Sequence, residues 1–205
     1  RGTKNIVGPI PYPVMAIGNF DGVHVGHQTL FCKTAELAVA HGGTSIVFTF
    51  EPHPLKVIAP GKAPPLLTHF KQKMELIESC GINMVICADF TRKFADQQPR
   101  DFSRNILFEK IAAKKIVVGF DYAFGRGREG TIPYLKKMGE EFGFQVHVVE
   151  PFKVKGHTVS SSHVRELIEG GHVESASQFL GRNYSITGPV ISGYKTGQTI
   201  GFPTA

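Results

Sequence analysis

Five short apolar segments, each separated from the next by a longer helical pattern, constrain the fold of this chain more than any other feature. The strand-like segments cover residues 14–18, 44–50, 82–88, 116–120 and 144–151. Helical patterns lie between them, over residues 28–40, 68–80, 99–113 and 133–142. Strands that alternate with helices predict an α/β domain with a doubly wound, Rossmann-like parallel sheet of about five strands.

The pattern changes after residue 152. Gly156 lies in the middle of a predicted hairpin, and the serines at 160–162 precede a predicted helix that runs to residue 169. A further helix is predicted over 173–180, and strand-like sequence with glycines follows. We therefore expect one domain over residues 1–182 and the start of a mostly β domain over residues 183–205.

Composition and charge argue against several classes of protein. No apolar run of about 18 residues is present, so a membrane span is not expected, and no secretory signal is recognised. The net charge is +6, but the basic residues are scattered, which argues against nucleic acid as a partner. Cys32, Cys80 and Cys87 lack metal-binding spacing and indicate a reducing compartment. A cytoplasmic location is therefore expected.

Three loops are candidates for a binding site. In doubly wound sheets, ligands bind beyond the carboxyl ends of the strands, where the winding reverses. That rule points to the loops after the first and fourth strands, around residues 18–27 and 121–128, which are both glycine-rich and polar. The connector over residues 51–67 contains five prolines and is longer than an ordinary link between elements, which makes it a third candidate.

A pair of histidines gives the first loop its chemistry. His24 and His27 stand three residues apart at the start of a helix, so both imidazoles project to the same side. A helix N-terminus attracts anions, and Gly26 lets a phosphate approach the backbone. The alternative is a structural pair that caps the helix. Zinc is disfavoured because no third ligand lies nearby, so we predict no metal held by protein ligands and expect magnesium to arrive with a nucleotide.

The stretch GNFDGVHVGHQ, over residues 18–28, resembles the signature of the HxGH nucleotidyl transferase superfamily. More narrowly, it resembles the adenylyltransferase module of prokaryotic bifunctional FAD synthetases, which are riboflavin kinases and FMN adenylyltransferases. The same family is matched in order by FEPHP (50–54), VGFDYAFG (118–125), VSSSHVR (159–165) and LGRNY (180–184). Residues 188–205 resemble the opening of its riboflavin kinase module, although Gln198 stands where the family more often has arginine.

The resemblance implies a reaction in which the FMN phosphate attacks the α-phosphorus of ATP, giving FAD and pyrophosphate. His24 and His27, protonated or hydrogen-bonding, would be the catalytic residues that stabilise charge on the α- and β-phosphates. Ser161 and Ser162 would hold the β- and γ-phosphates, and Arg165 would neutralise the leaving pyrophosphate. A plain helix N-cap is the structural alternative for the serines. The full set of ATP- or phosphate-binding residues implied is Gly18, Asn19, Phe20, Asp21, Gly26, Ser161, Ser162 and Arg165.

The connector and the loop after the fourth strand would form the flavin side. The implied flavin-binding residues are His53, Pro54, Leu67, Asp121, Phe124 and Arg128. A turn-forming aspartate and a solvated arginine are the structural alternatives for Asp121 and Arg128.

FMN and ATP, with magnesium on the ATP, are the expected small-molecule partners, and no specific protein partner is predicted. Riboflavin kinase activity is expected only of a full-length chain, because the family's kinase barrel continues beyond Ala205. Two alternatives stay open. One is another HxGH transferase that uses a phosphopantetheine, glycerol phosphate or nicotinate nucleotide acceptor. The other is a non-catalytic module that binds flavin or nucleotide.

Overall fold

A five-stranded, all-parallel sheet forms the centre of the molecule in the computed structural model, which describes residues 8–189 together with 2, 5, 6 and 201. The strand order is β3-β2-β1-β4-β5. The strands are β1 (Pro13–Ile17), β2 (Thr44–Glu51), β3 (Met84–Asp89), β4 (Lys115–Gly119) and β5 (Gln145–Val149). The predicted five-stranded α/β fold is therefore confirmed, with each strand within two residues of its expected bounds.

Helices cover both faces of the sheet. Along β1, Val14 and Ala16 face one side and Met15 and Ile17 the other, because successive side chains of a strand point in opposite directions. One face packs against α1 (Val25–Val39) and α3 (Phe70–Glu78). The other packs against α6 (Ile132–Phe142) and against α5 (Pro99–Asp101), which continues as a π-helical segment over Phe102–Lys110. This two-sided cover explains why the strands read as continuous apolar runs.

The winding reverses between β1 and β4, which are neighbours at the centre of the sheet. The helix after β1 and the helix after β4 lie on opposite faces, so a crevice opens between the two loops that leave these strands. The switch point expected from the alternation of elements is thus confirmed. It brings the loop over residues 18–27, called the histidine loop below, next to the loop over residues 121–128, called the loop of Asp121.

Three helix boundaries differ from the sequence prediction. The first helix begins at Val25 rather than at residue 28, because the His24 side chain caps it. The next helix begins at Phe70 rather than at residue 68, with His69 as its N-cap, and Thr68 is buried with its hydroxyl bonded elsewhere. The predicted helix over 99–113 is mostly π-helical and ends at Lys110.

The proline-rich connector forms α2 (Pro54–Ile58), followed by one short 3₁₀ turn (Pro60–Lys62). A four-residue helix, α4 (Arg92–Ala95), follows β3.

The predicted C-terminal elements are present. Strands β6 (Lys153–Val154) and β7 (His157–Thr158) form the hairpin, and α7 (Ser161–Glu169) and α8 (Val173–Leu180) follow. These helices share a small apolar cluster with the end of the connector. Residues 190–200 and 202–205, which include Gln198 and most of the kinase-like segment, lie outside the described residues, so the boundary at 182 stays a prediction. Within the described part of the chain, no helix has both the length and the apolar character needed to cross a membrane.

Candidate active site

A cavity of about 1140 Å³ occupies the crevice at the carboxyl ends of the strands. The loops after β1 and β4, the connector and the first turn of α7 all contribute to its wall. Fourteen predicted site residues line it: Gly18, Asn19, Phe20, His24, Gly26, His27, His53, Pro54, Asp121, Phe124, Arg128, Ser161, Ser162 and Arg165. Segments far apart in sequence therefore meet at one site, as predicted. Asp21 and Leu67 are not part of its wall.

The two histidines form a stacked pair at the start of α1. Their ring centroids lie 3.5 Å apart and the ring planes differ by 17°. His24 Nδ1 accepts a hydrogen bond from the backbone N–H of His27 at 3.2 Å, so one ring caps the helix that carries the other. A Cβ at position 26 would lie 3.2 Å from His24 Nδ1, so the glycine leaves room for the stacked ring. The capping role and the site role thus coincide in this pair.

Burial keeps both imidazoles neutral in the ligand-free site. It lowers the pKa of His24 to about 4, against smaller opposing effects of its backbone hydrogen bond and of Asp21. Burial also lowers the pKa of His27 well below its usual value, and the neighbouring charges of His24 and Lys73 act in the same direction. Because His24 Nδ1 accepts a hydrogen bond, its proton is assigned to Nε2, which is then a donor. Of the two forms expected from sequence, the structure favours the neutral hydrogen-bonding one over the protonated one at neutral pH.

Asp21 was expected to contact ATP, and the structure places its carboxylate among protein donors. Its buried carboxylate accepts hydrogen bonds from the backbone N–H groups of Leu67 and Thr68 and from the Thr68 hydroxyl, at 3.1–3.2 Å. It also forms an ion pair with Arg165 at 2.5 Å. Both carboxylate oxygens of Asp21 therefore already accept hydrogen bonds from protein groups. The negative charge of the carboxylate would also repel a phosphate. Asp21 ties the histidine loop to the connector and to α7.

Leu67 was expected to contact the flavin, and the structure places its side chain in an apolar cluster. The side chain is buried in the apolar cluster of the C-terminal helices, together with Val159 and Val164. It lies against Gly22, where an added Cβ would come within 2.7 Å of the Leu67 side chain. Leu67 therefore faces the back of the histidine loop rather than the cavity.

The first turn of α7 presents its serines and Arg165 to the cavity. Ser160 caps the helix by accepting from His163 N–H at 3.2 Å, as predicted for this stretch. Ser161 Oγ donates to the carbonyl of Asp21 at 2.9 Å, and Arg165 Nε donates to the carbonyl of Pro65 at 2.8 Å. Arg165 thus spends part of its donor capacity on protein groups, and its remaining N–H groups and the N-terminus of α7 are available to an anion.

On the flavin side, the predicted residues occupy both rims of the cavity. His53 caps α2 by accepting from Leu55 N–H at 3.1 Å, and burial lowers its pKa. Pro54 occupies the first turn of the same helix. Asp121 is exposed directly after β4, and its carbonyl accepts from Arg128 at 3.4 Å. Asp121 lies in a turn and Arg128 is exposed, as the structural alternatives expect, and both residues also line the cavity.

An aromatic wall was not anticipated from the sequence, apart from Phe124. Its members contact one another in series, with ring centroids 5.4–6.0 Å apart. They come from β2, the residue after β3, α4, the π-helical segment and the loop after β4. The wall consists of Phe50, Phe90, Phe94, Phe102 and Phe124. The only sequence signal was the abundance of phenylalanine, with 16 residues and no tryptophan.

Two cations that sequence analysis missed hold the histidine loop from behind. Arg182 donates to the carbonyls of Gly22 at 2.7 Å and of Val23 at 3.2 Å. The buried Lys73 ammonium lies 3.3 Å from the carbonyl of Asn19. Val23 has a φ of +43°, an uncommon conformation for a β-branched residue, which persists only where the surroundings hold it. The loop is therefore fixed by its neighbours before any ligand binds.

Comparison with known proteins decides the family. The model of the FAD synthetase family matches residues 11–163, which include the histidine pair, the connector, the loop of Asp121 and the start of α7. The chain belongs to the FAD synthetase family. A riboflavin kinase family model matches residues 180–205. The family expected from the ordered motifs is thus confirmed.

Curated relatives agree with this assignment. The chain is 38% identical, over its whole length, to proteins named bifunctional riboflavin kinase/FMN adenylyltransferase from Buchnera aphidicola (Acyrthosiphon pisum) and Escherichia coli K12. It is 37% identical over 94% of its length to a protein of the same name from Listeria monocytogenes. The chain spans 66% of the first two relatives and 61% of the third, which is just under two thirds of their length.

A solved structure shares the fold. It is titled as the crystal structure of a macrolide-efflux protein from Streptococcus pneumoniae, and it superposes with a TM-score of 0.85 at 28% sequence identity. The match covers 98% of this chain and 65% of the other. Its title names an activity unlike that of the curated relatives, and we take from it the architecture alone.

Proposed function

We propose that this chain transfers the adenylyl group of ATP to the phosphate of FMN, forming FAD and pyrophosphate. The observation that carries the proposal is the neutral, stacked pair of His24 and His27 at the start of α1, beside a cavity whose wall contains both polar groups and aromatic rings. The curated relatives are named for this activity, which supports the same conclusion.

The polar end suits the triphosphate. Two helix N-termini, those of α1 and α7, border it, and helix N-termini favour negative charge. Ser161 and Ser162 supply hydroxyls there, and Arg165 supplies the N–H groups that it does not give to Asp21 and Pro65. ATP would lie with its β- and γ-phosphates at α7 and its α-phosphate beside the histidines.

The aromatic end suits the isoalloxazine ring. Flat ligands bind well against aromatic side chains, and all five phenylalanines of the aromatic wall line the cavity. The cavity volume of about 1140 Å³ exceeds the roughly 300–1,000 Å³ of an ordinary single-ligand site, so it has room for two substrates. FMN would place its ring on this wall and its phosphate toward the histidines.

The reaction needs no protein nucleophile, because the FMN phosphate is already an anion. An FMN phosphate oxygen forms a bond to the α-phosphorus of ATP, the bond from that phosphorus to the bridging oxygen breaks, and pyrophosphate leaves with the electron pair. Positioning and stabilisation of charge then provide the catalysis. The neutral imidazoles would donate hydrogen bonds to α- and β-phosphate oxygens, and the nearby negative charge would favour a shift toward the imidazolium form.

Magnesium would enter as part of the ATP substrate. Among the residues that the structure describes, no group of three or more histidine, cysteine, aspartate or glutamate side chains could hold a metal ion. The ion would offset phosphate charge, and the side chains around the cavity would orient the two substrates. Residues 180–205 match a riboflavin kinase family model. We expect riboflavin phosphorylation only from a protein that carries a whole riboflavin kinase module.

A fluorescence assay tests the proposal. The protein is mixed with FMN, ATP and Mg²⁺, and FAD is followed by the quenching of flavin fluorescence and confirmed by chromatography. We expect FAD and pyrophosphate in equal amounts. We also expect His27→Ala to lower kcat by about 100-fold or more. His172→Ala, which removes an exposed histidine that makes no capping bond, is the matched control and should leave the rate unchanged.

The outcomes separate the candidate functions. Binding of ATP without any FAD formation would favour a non-catalytic nucleotide-binding module. Faster turnover with nicotinate mononucleotide or phosphopantetheine than with FMN would favour another HxGH transferase. Full activity of His27→Ala would show that the phosphate site is assigned wrongly. Appreciable FMN formed from riboflavin and ATP would contradict our expectation about the kinase module.

A further inference from the structure

Lys73 is a buried cation that the proposed chemistry does not yet use. It lies on α3, and only 5% of the residue is exposed. Its Nζ lies 3.3 Å from the carbonyl oxygens of Asn19 and Phe50 and 3.5 Å from Thr49 Oγ1. These acceptors are all neutral, and none of the ion pairs among the described residues includes Lys73.

A buried ammonium without a carboxylate in contact is an expensive feature of a fold. Carbonyl oxygens offset part of the lost hydration, but an isolated buried charge is stabilised far better by an opposite charge. Burial accordingly lowers the pKa of Lys73, and smaller electrostatic effects of Glu51, Cys87 and Asp21 oppose this shift. A residue of this kind in an otherwise well-packed domain suggests that its counter-charge comes from a ligand.

The position of Lys73 points to the ligand. Asn19, whose carbonyl it contacts, lines the cavity between Gly18 and Phe20 at the end of β1. The charge of Lys73 is also one of the smaller causes that lower the pKa of His27, after burial and the effect of His24. Lys73 itself is not part of the cavity wall, so any effect on a substrate passes through Asn19 and through space.

Other cations near the site are placed differently. Arg165 faces the cavity but is already paired with Asp21, and Arg182 contacts the carbonyls of Gly22 and Val23 behind the loop. Lys73 therefore differs from Arg165 in having no ion pair with a carboxylate, and from Arg182 in being more deeply buried.

We propose that Lys73 is a positioning residue of adenylyl transfer, which orients the Asn19 carbonyl and supplies a positive charge beneath the end of the cavity that we assign to the phosphates. This inference rests on the proposed function, because the counter-charge that it invokes is the polyphosphate of ATP. The bound triphosphate then supplies the negative charge that balances Lys73 from the other side of the Asn19 backbone. ATP binding then depends on the charge of Lys73 as well as on its hydrogen bonds.

Three substitutions separate charge from hydrogen bonding. Lys73→Arg keeps the charge and the donors, Lys73→Gln keeps donors without charge, and Lys73→Met removes both. Lys71→Met is the matched control, because Lys71 lies on the same helix with 90% of its side chain exposed. For each protein we would measure the KM for ATP, the KM for FMN, kcat, and the rise in melting temperature on adding Mg-ATP.

The charge hypothesis predicts a specific order of effects. We expect Lys73→Gln and Lys73→Met to raise the KM for ATP about tenfold, the loss of one close charge interaction. Both should lose most of the thermal shift produced by Mg-ATP. Lys73→Arg should restore both quantities to near the wild-type values, and Lys71→Met should match the wild type throughout. A purely structural lysine would change the melting temperature of the free protein without changing the shift that ATP produces.

Three results would overturn the proposal. The first is a folded Lys73→Gln protein with the wild-type KM for ATP and thermal shift, since charge would then be irrelevant. The second is an equal loss in Lys73→Arg and Lys73→Met. The third is failure of all three variants to fold, which a structural role explains fully. If the wild-type protein makes no FAD but its ATP-induced thermal shift is lost in Lys73→Gln, the proposed reaction fails and the counter-charge inference stands.

Discussion

Asp21→Asn removes the charge that joins three parts of the site. The carboxylate is 4% exposed, its partner Arg165 is 12% exposed, and the two lie 2.5 Å apart. The amide of asparagine would turn an N–H₂ group toward either Arg165 or the backbone N–H of Leu67, so one donor loses its acceptor. Breaking a buried ion pair by removing one partner costs about 3–5 kcal/mol. For a domain of this size, that corresponds to a melting temperature lower by about 10 °C.

Urea denaturation followed by circular dichroism measures this effect as a change in the free energy of unfolding. Asp96→Asn is the control, because the Arg92–Asp96 pair is exposed and should contribute less than about 1 kcal/mol. The double variant Asp21→Asn/Arg165→Met removes the uncompensated guanidinium and should recover part of the loss. A loss below about 1 kcal/mol for Asp21→Asn would refute the assignment of this pair as a buried clamp.

Three further predictions concern the histidines, the aromatic wall and the loop. Because His24 titrates near pH 4 when folded and near its usual 6.5 when unfolded, its contribution to stability should be complete above about pH 6.5. As the pH falls from 6.5 to 4, the unfolded chain takes up the proton first, so the free energy of unfolding should fall by about 3 kcal/mol. His24→Asn should remove this part of the pH dependence of the free energy of unfolding. Phe94→Ala should raise the KM for FMN about tenfold in steady-state assays and leave the KM for ATP unchanged, because the Phe94 ring belongs to the aromatic wall. The control Phe108→Ala, on an exposed helix surface, should change neither KM. Arg182→Gln should lower kcat/KM for ATP about tenfold, because it removes two hydrogen bonds that hold the histidine loop. An unchanged kcat/KM would show that the loop keeps its conformation without these bonds.

The phosphate end of the site could be predicted because its parts are local in sequence. His24, Gly26 and His27 lie at the N-cap and in the first turn of α1, a few residues after β1, and the serines before Arg165 lie at the start of α7. Lys73 was also open to prediction in principle. It stands one helical turn before the fully buried Ile77, on the same face of α3, where a lysine is unexpected.

The aromatic wall could not be predicted in the same way. Its rings come from five separate segments, and each ring alone reads as an ordinary core residue. Thr68 illustrates the same limit. A threonine before a helical pattern predicts an N-cap, but the backbone and hydroxyl of Thr68 are used by Asp21, 47 residues earlier in the chain.

The sequence by itself determined the alternation of strands and helices, the switch point and the histidine pair, because each depends on periodicity or spacing within a short segment. The tertiary structure alone decided how those groups behave. Packing buries the imidazoles and keeps them neutral, since a pKa depends on the surroundings that the fold assembles. Packing also turns Asp21 away from the cavity, toward Arg165, which lies 144 residues farther along the chain. Partners at such separations leave no local pattern, so only the folded chain shows which charges meet a substrate and which meet each other.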